Sequence, residues 1–179
     1  MTPAQFATLK AAIAAETDPV FVGYRTAGST GSMADWYNLP STVVVWRSTT
    51  PTGEVFNSVT WANLTPNDIP DGTLVWECRS LACQGKQFNL QTMLGGQQSV
   101  ASGKVNIRNG LQDALTNVPA GAAGALIGAG WLIVRAAIQR FATSGEKIFA
   151  TGTGTAALPS DLGFEGSISN GDILKALAS

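Results

Sequence analysis

Proline and glycine cut this chain into short pieces before any apolar pattern can run far, and that punctuation limits what it can fold into. Thr2 followed by Pro3 and Gln5 reads as a capping-box helix start with proline at the first helical position. Phe6, Leu9 and Ile13 then recur at helical spacing until Asp18-Pro19 ends the run near residue 16. Residues 20–25 add a short turn, and residues 27–31 are a loop. Residues 32–38 read as a short helix carrying Met33, Trp36 and Tyr37, stopped by Leu39-Pro40. Residues 42–46 are the only clear β-type run of the first half, with no hairpin partner beside them. Thr50-Pro51 offers a further cap-plus-proline start, with Val55, Phe56, Val59 and Trp61 on the helix that follows. Residues 62–71, holding Pro66 and Pro70, read as a loop.

Asp71 caps the most regular helix, in which Leu74, Cys78, Leu81 and Phe88 follow helical spacing with Trp76 on the flank, and Gly95-Gly96 stop it. A second long helix starts at Asn106 with Ile107, Leu111, Ala114 and Leu115 on one stripe. A third spans residues 122–143, either unbroken or broken near Gly128-Gly130, with Ile127, Trp131, Val134, Ile138 and Phe141 turned inward. Residues 144–150 form a turn, short strands fall at 147–150 and 164–168, and a last helix covers 172–178, capped by Ser169 or Asn170. The predicted class is mainly α: a core of about four to five helices with short strands and extended loops. Residues 1–150 are the expected helical domain and residues 151–179 a Gly/Thr-rich C-terminal arm ending in the short helix.

Composition narrows function by what it withholds. There is no histidine, the two cysteines are Cys78 and Cys83, and the twelve carboxylates are scattered singly. A His general base, a Ser-His-Asp triad and a His-Cys metal site are therefore very hard to build. The cysteines read as core thiols of a reducing cytoplasm, neither C-x-x-C nor accompanied by histidine. Charged residues make up only 13% against 45% hydrophobic, so the surface repels its own copies weakly and suits subunit packing. A net charge of −1 with dispersed Lys and Arg leaves no electrostatic footprint for nucleic acid. The N-terminus shows no secretory signal pattern. Residues 118–134, VPAGAAGALIGAGWLIV, carry no charge, yet they only reach the lower edge of a membrane span and are diluted by Pro119 and by glycines including Gly124 and Gly128. With Arg135 and Arg140 continuing the same predicted helix, close helix packing in water is the preferred reading and no membrane is expected.

The motifs that resemble catalytic signatures fail on context. Gly152-Thr153-Gly154-Thr155-Ala156-Ala157 matches a loose G-x-G-x-x-A, but Leu158-Pro159 blocks the helix a dinucleotide site needs. Gly85-Lys86 is followed by Gln87 and is no P-loop. The expectation is a protein without catalysis, cofactor or metal, the rival left open being a hydrolase with a Ser-Lys nucleophile, for which the sequence nominates no particular pair. Of the five tryptophans, Trp46 and Trp61 are candidate subunit-interface residues, the alternative being core anchors. Arg135, Arg140, Glu146 and Lys147 are either solvated-face charges or inter-subunit ion pairs.

Three stretches carry a resemblance: residues 104–111 (KVNIRNGL), 134–143 with VRAA and QRFAT, and 146–155 (EKIFATGTGT). Together with Phe164-Glu165-Gly166 and the Leu9–Ala14 helix (LKAAIA), they resemble small virion-module proteins of tailed bacteriophages and prophages, at a position like that of the head–tail connectors or neck adaptors. The resemblance covers most of the chain but consists of ordinary residues with no catalytic signature. It implies a homo-oligomeric ring of on the order of a dozen copies, made in the host cytoplasm and housed in the virion at the head–tail junction. Its implied partners are the portal protein, a downstream neck or tail protein, and genomic DNA passing through the lumen without sequence-specific contacts. In this reading the segment from Thr151 through Gly152, Thr153 and Gly154, with Phe164 and Glu165, reaches a neighbour. The β-type run at residues 43–46 departs from a minimal helical adaptor and leaves a tail terminator or other minor tail protein as the alternative. A membrane-active lysis or assembly factor using residues 118–134 is the rival from another class.

Overall fold

The computed structural model describes residues 1–64, 74–120 and 125–179. Pro66, Pro70, Asp71 and Gly124 lie outside these, as do the side chains of Leu74, Trp76 and Cys78. The described elements begin with α1 (Pro3–Ala15), α2 (Pro19–Thr26), α3 (Thr30–Tyr37), β1 (Pro40–Trp46), β2 (Thr50–Pro51) and α4 (Thr52–Ser58). There follow α5 (Trp61–Leu64), α6 (Leu74–Leu94), β3 (Ser99–Val100), α7 (Val105–Leu115), β4 (Val118–Ala120) and β5 (Ala125–Ile127). The last are α8 (Trp131–Ala137), β6 (Gln139–Thr143), α9 (Ser144–Ile148), β7 (Ala150–Thr151), β8 (Asp161–Leu162) and α10 (Asn170–Ala178). The class is mainly α with short strands. The helices beyond the four or five expected are mostly single or double turns such as α5, α8 and α9. The chain divides into two compact units, Met1–Trp46 with Arg140–Ser179, and Arg47–Gln139.

In the first unit the N-terminal signals act as read. Thr2 Oγ1 accepts the Gln5 N–H at 3.2 Å and Gln5 Oε1 accepts the Thr2 N–H at 2.7 Å, closing the capping box of α1. Asp18 caps α2 by accepting the Val20 N–H at 2.9 Å, so the expected turn at residues 20–25 is a helix with Pro19 in its first turn. Arg25, on α2, reaches back to the carbonyls of Ile13 (2.6 Å), Ala14 (2.9 Å) and Glu16 (3.3 Å). These carbonyls have no partner further along α1, and a cation there also meets the negative end of the helix. Arg25→Ala should therefore cost about 1.5 kcal/mol in urea denaturation; an unchanged midpoint would show that water replaces the guanidinium without loss.

The core of this unit joins Leu9, Ile13, Phe21, Met33, Ala34 and Tyr37 to Ile168, Ile173 and Ala176. Phe21 meets Tyr37 edge-on at 5.2 Å. Residues 151–179 are thus no free arm. α10 packs on α1 and α3 because Ile173 and Ala176 share one face, and Ser169 starts it with a capping box to Asp172. Asn38 pins the approach to that helix, donating from Nδ2 to the Ile168 carbonyl and accepting the Ile168 N–H, both at 2.9 Å. β1 pairs with β6, a partner about a hundred residues away that no local pattern signals. β7 pairs antiparallel with β8. Of the strands expected at 147–150 and 164–168, only Ala150 is in one, as the start of β7: Lys147 and Ile148 belong to α9, and residues 164–168 are irregular.

In the second unit α6 packs on α7 through buried Cys83, Leu90 and Leu94 against Leu111, Ala114 and Leu115. Leu81 and Phe88, two of the residues at helical spacing, are 69% and 68% exposed. The helix carries apolar residues on two faces, and spacing alone does not say which one is covered. Its stop is as read, with Gly95 N–H on the Gln91 carbonyl and Gly96 at φ +71°. Thr50-Pro51 forms a strand paired with β3, and the expected helix starts just after it at Thr52, with Pro51 and not Thr50 at its cap and with Val59 and Trp61 beyond its end. A buried polar relay supports this turn: Thr50 Oγ1 donates to Ser102 Oγ at 2.8 Å, which donates to the Arg47 carbonyl at 2.8 Å. The buried Arg108 donates to the carbonyls of Ser102 and Gly103.

The largest correction concerns residues 122–143. Among the described residues a strand pair joins Val118 antiparallel to Ile127, and the chain breaks at Gly128-Gly130, the second of the two alternatives. The seven-residue α8 and then β6 follow in place of a helix running on to 143. Gly130 precedes α8 at φ +93°, a left-handed conformation that a continuous right-handed helix does not contain. Val134 and Ile138 are buried as expected, while Phe141 alternates outward on its strand at 65% exposure. No helix among the described residues is long and apolar enough to cross a membrane.

Candidate functional site: interface residues and the Glu146 cluster

Three of the sequence-selected charges converge within the first unit. Arg140, on β6, holds Glu146 of α9 through two bonds, Nη1 to Oε2 at 2.6 Å and Nη2 to Oε1 at 2.8 Å. Its Nη2 also reaches Glu165 Oε1 at 2.9 Å. Thr143 caps α9 and closes a capping box: Glu146 Oε2 accepts the Thr143 N–H at 2.9 Å, and Thr143 Oγ1 accepts the Glu146 N–H at 3.1 Å. The Gly166 N–H donates to Glu146 Oε1 at 3.0 Å. One carboxylate thus ties together β6, the start of α9 and the segment after Glu165.

Glu146 is 2% exposed. Burial alone would raise its carboxyl, but the hydrogen bonds from Arg140, Thr143 and Gly166 outweigh it and hold the group below the usual carboxylate range. Arg140 is driven the opposite way, upward, chiefly by its hydrogen bond to Glu146 against the opposing effect of burial. Both Glu146 oxygens are occupied and screened from solvent, so the group neither takes nor gives a proton near neutrality. Its chemistry is that of a clasp, made within one chain.

The other selected residues are placed separately. Arg135 is on α8 in the second unit, so it does not share a helix with Arg140. Lys147 is exposed on α9. Trp46 is half-buried in β1, its backbone N–H on the Ser160 carbonyl at 3.1 Å. Trp61 donates from Nε1 to the Phe56 carbonyl at 2.9 Å and stacks on the Phe56 ring at 4.4 Å. Phe164 meets Phe149 edge-on at 5.4 Å.

The Thr151–Gly154 segment lies along β1. Thr151 pairs with Asp161, and the Gly154 carbonyl accepts the Val44 N–H at 2.9 Å. Gly154 has φ +72°, and a Cβ there would stand 2.8 Å from Val43 Cγ1. These glycines serve a close approach to a strand, and the chain turns back at Thr155 and Leu158 with no helix following.

Large apolar side chains remain uncovered. On α6, Leu81 and Phe88 flank a shallow groove of about 550 Å³ also lined by Gln84, Gly85, Gln87 and Gln91, with no charge among them. Leu132 (67%), Ile133 (58%) and Phe141 (65%) are exposed as well. Sequence reading also passed over a cleft in the first unit lined by Tyr24, Ser32, Asp35, Trp36 and Leu39. Its only sequence signal is an acid beside a tryptophan on α3, which no spacing rule joins to Tyr24 on α2. Comparison with protein families, curated proteins and solved structures finds no match to this chain.

Proposed function

We propose that this chain is a structural subunit of a tailed-phage virion, a head–tail connector that assembles as a homo-oligomeric ring between the portal and the tail components. The observation that carries the assembly part is the α6 groove, uncharged among its described lining residues, where Leu81 and Phe88 stay about two-thirds exposed. Contiguous exposed apolar side chains mark interaction surfaces, and a chain with 13% charged residues has little to keep its copies apart. The position in the virion rests on the resemblance of residues 104–111, 134–143 and 146–155. In a ring each copy offers the α6 face to a different patch on its neighbour, a heterologous contact that closes by rotation. Genomic DNA passes through the lumen by weak, diffuse contacts, with which a net charge of −1 is compatible.

Quantitative mass spectrometry of purified particles tests this by counting copies of the chain against the portal protein. A ratio near one, on the order of a dozen copies in a ring, is the expected result. About half that ratio would favour the tail-terminator alternative, and absence from the particle would overturn the virion role. For the purified chain, Leu81→Ser with Phe88→Ser should reduce self-association in native mass spectrometry while leaving the urea midpoint within about 0.5 kcal/mol of the parent. Unchanged self-association would exclude the α6 face as the contact.

A further inference from the structure

We infer that the cleft between α2 and α3 is a binding site for one arginine or lysine side chain presented by another protein chain. The cleft measures about 240 Å³ and is lined by Tyr24, Ser32, Asp35, Trp36 and Leu39. That is below the roughly 300–1,000 Å³ of sites for drug-sized ligands, and in keeping with a single long side chain. Its chemistry selects a cation on an aliphatic stem. Asp35 supplies the only formal charge of the lining, and its carboxylate has neither hydrogen bond nor ion pair among the described residues. The nearest candidate in sequence to neutralise it, Arg25, is spent on the carbonyls of Ile13, Ala14 and Glu16.

Two aromatic rings complete the recognition. Tyr24 and Trp36 are half-buried, and faces of this kind attract ammonium and guanidinium groups. The Tyr24 hydroxyl and the Trp36 indole N–H also lack partners among the described residues, although such groups usually find one when a surface is covered. The Trp36 ring is steadied from beneath by Phe21, at 6.0 Å and 57°. Leu39, half exposed at the rim, offers apolar area to the methylene stem. A neutral or anionic group would leave Asp35 unpaired or repelled, so charge as well as size discriminates.

The inference does not depend on the ring or on the virion. It is tested on the intact chain by titrating N-acetyl-arginine amide and following the indole N–H signal of Trp36 by NMR, assigned with Trp36→Phe. The uncharged isostere N-acetyl-citrulline amide serves as the control. A saturable shift of the Trp36 signal in the millimolar range with arginine but not with citrulline is expected, weakened about threefold by Asp35→Asn. Asp35 is exposed, and its replacement should leave the urea midpoint unchanged. No saturable shift, or equal shifts with citrulline and with Asp35→Asn, would overturn the proposal. Native mass spectrometry of Asp35→Asn then identifies the source: weaker self-association assigns the cation to a second copy, and unchanged self-association assigns it to a different protein.

Discussion

Glu146→Ala is expected to lower the unfolding free energy by about 3 kcal/mol, the lower end of the cost of breaking a buried ion pair from one side. The lower end applies because the Arg140 side chain keeps 30% of its exposure and can turn its guanidinium to water. The N–H groups of Thr143 and Gly166 each lose an acceptor worth about 1 kcal/mol. Glu165→Ala should cost less, under about 1 kcal/mol, since that carboxylate is 36% exposed and solvent screens its ion pair with Arg140. Urea denaturation of the two variants side by side is the measurement. Equal, small losses would mean that the cluster is a solvated surface network and that the clasp on residues 163–168 lies elsewhere.

The same clasp has a pH signature whose sign follows from the depressed Glu146 carboxyl. A carboxyl held lower in the folded chain than in the unfolded one contributes stability that is complete above the unfolded value of about 4.3. That contribution is lost as pH falls through the folded value. The gap in urea midpoint between the parent and Glu146→Gln should therefore be constant from pH 7 to about pH 5 and narrow below pH 4. Asp172 acts in the same direction, lowered chiefly by its side-chain hydrogen bond from Ser169. Its replacement by asparagine should leave the narrowing of the Glu146 gap in place, since its hydrogen bonds run to Ser169 and not to the Glu146 cluster. A gap that persists to pH 3 would show that the stabilisation comes from packing and not from the ionised carboxylate.

What the sequence disclosed and what it hid divide along a physical line. Local chemistry was legible: the capping boxes at Thr2 and Ser169, the stop at Gly95-Gly96, and the stripe of Leu111, Ala114 and Leu115 each act within a turn or two of themselves. Features decided by distant partners were not. β1 reads as an orphan strand because β6 is about a hundred residues away. Residues 151–179 read as an arm because their anchors, Asn38 and the faces of α1 and α3, lie at the other end of the chain. Arg140 and Glu146 were selected for charge and Glu165 through the resemblance, yet their union depends on a strand where a helix was expected. The Tyr24–Asp35–Trp36 cleft was invisible because two helices meeting at an angle create it, and neither shows it alone.

Gly130→Ala tests the sharpest of these differences, with an expected loss of about 3 kcal/mol. Part of it is conformational, because φ +93° disfavours any side chain by about 1–2 kcal/mol. The rest is steric: an added Cβ would stand 2.9 Å from the Ser58 carbonyl oxygen, 2.9 Å from Thr60 Oγ1 and 3.0 Å from the Thr60 nitrogen. The hydroxyl can rotate away, but the backbone atoms cannot yield without disturbing the Thr60 N–H bond to the Ala129 carbonyl at 3.0 Å. Gly110→Ala is the matched control within the same unit. There the new methyl meets only the flexible end of Met93, at 3.0 Å, inside the regular helix α7. Helix propensity repays about 1 kcal/mol, so that variant should be neutral or slightly stabilised. The difference in urea midpoint between the two alanine variants isolates the backbone requirement at Gly130 from the general cost of filling space. Were Gly130→Ala as stable as Gly110→Ala, residues 128–131 would not need a left-handed link, and a helix unbroken at Gly128-Gly130 would regain its standing over the broken alternative.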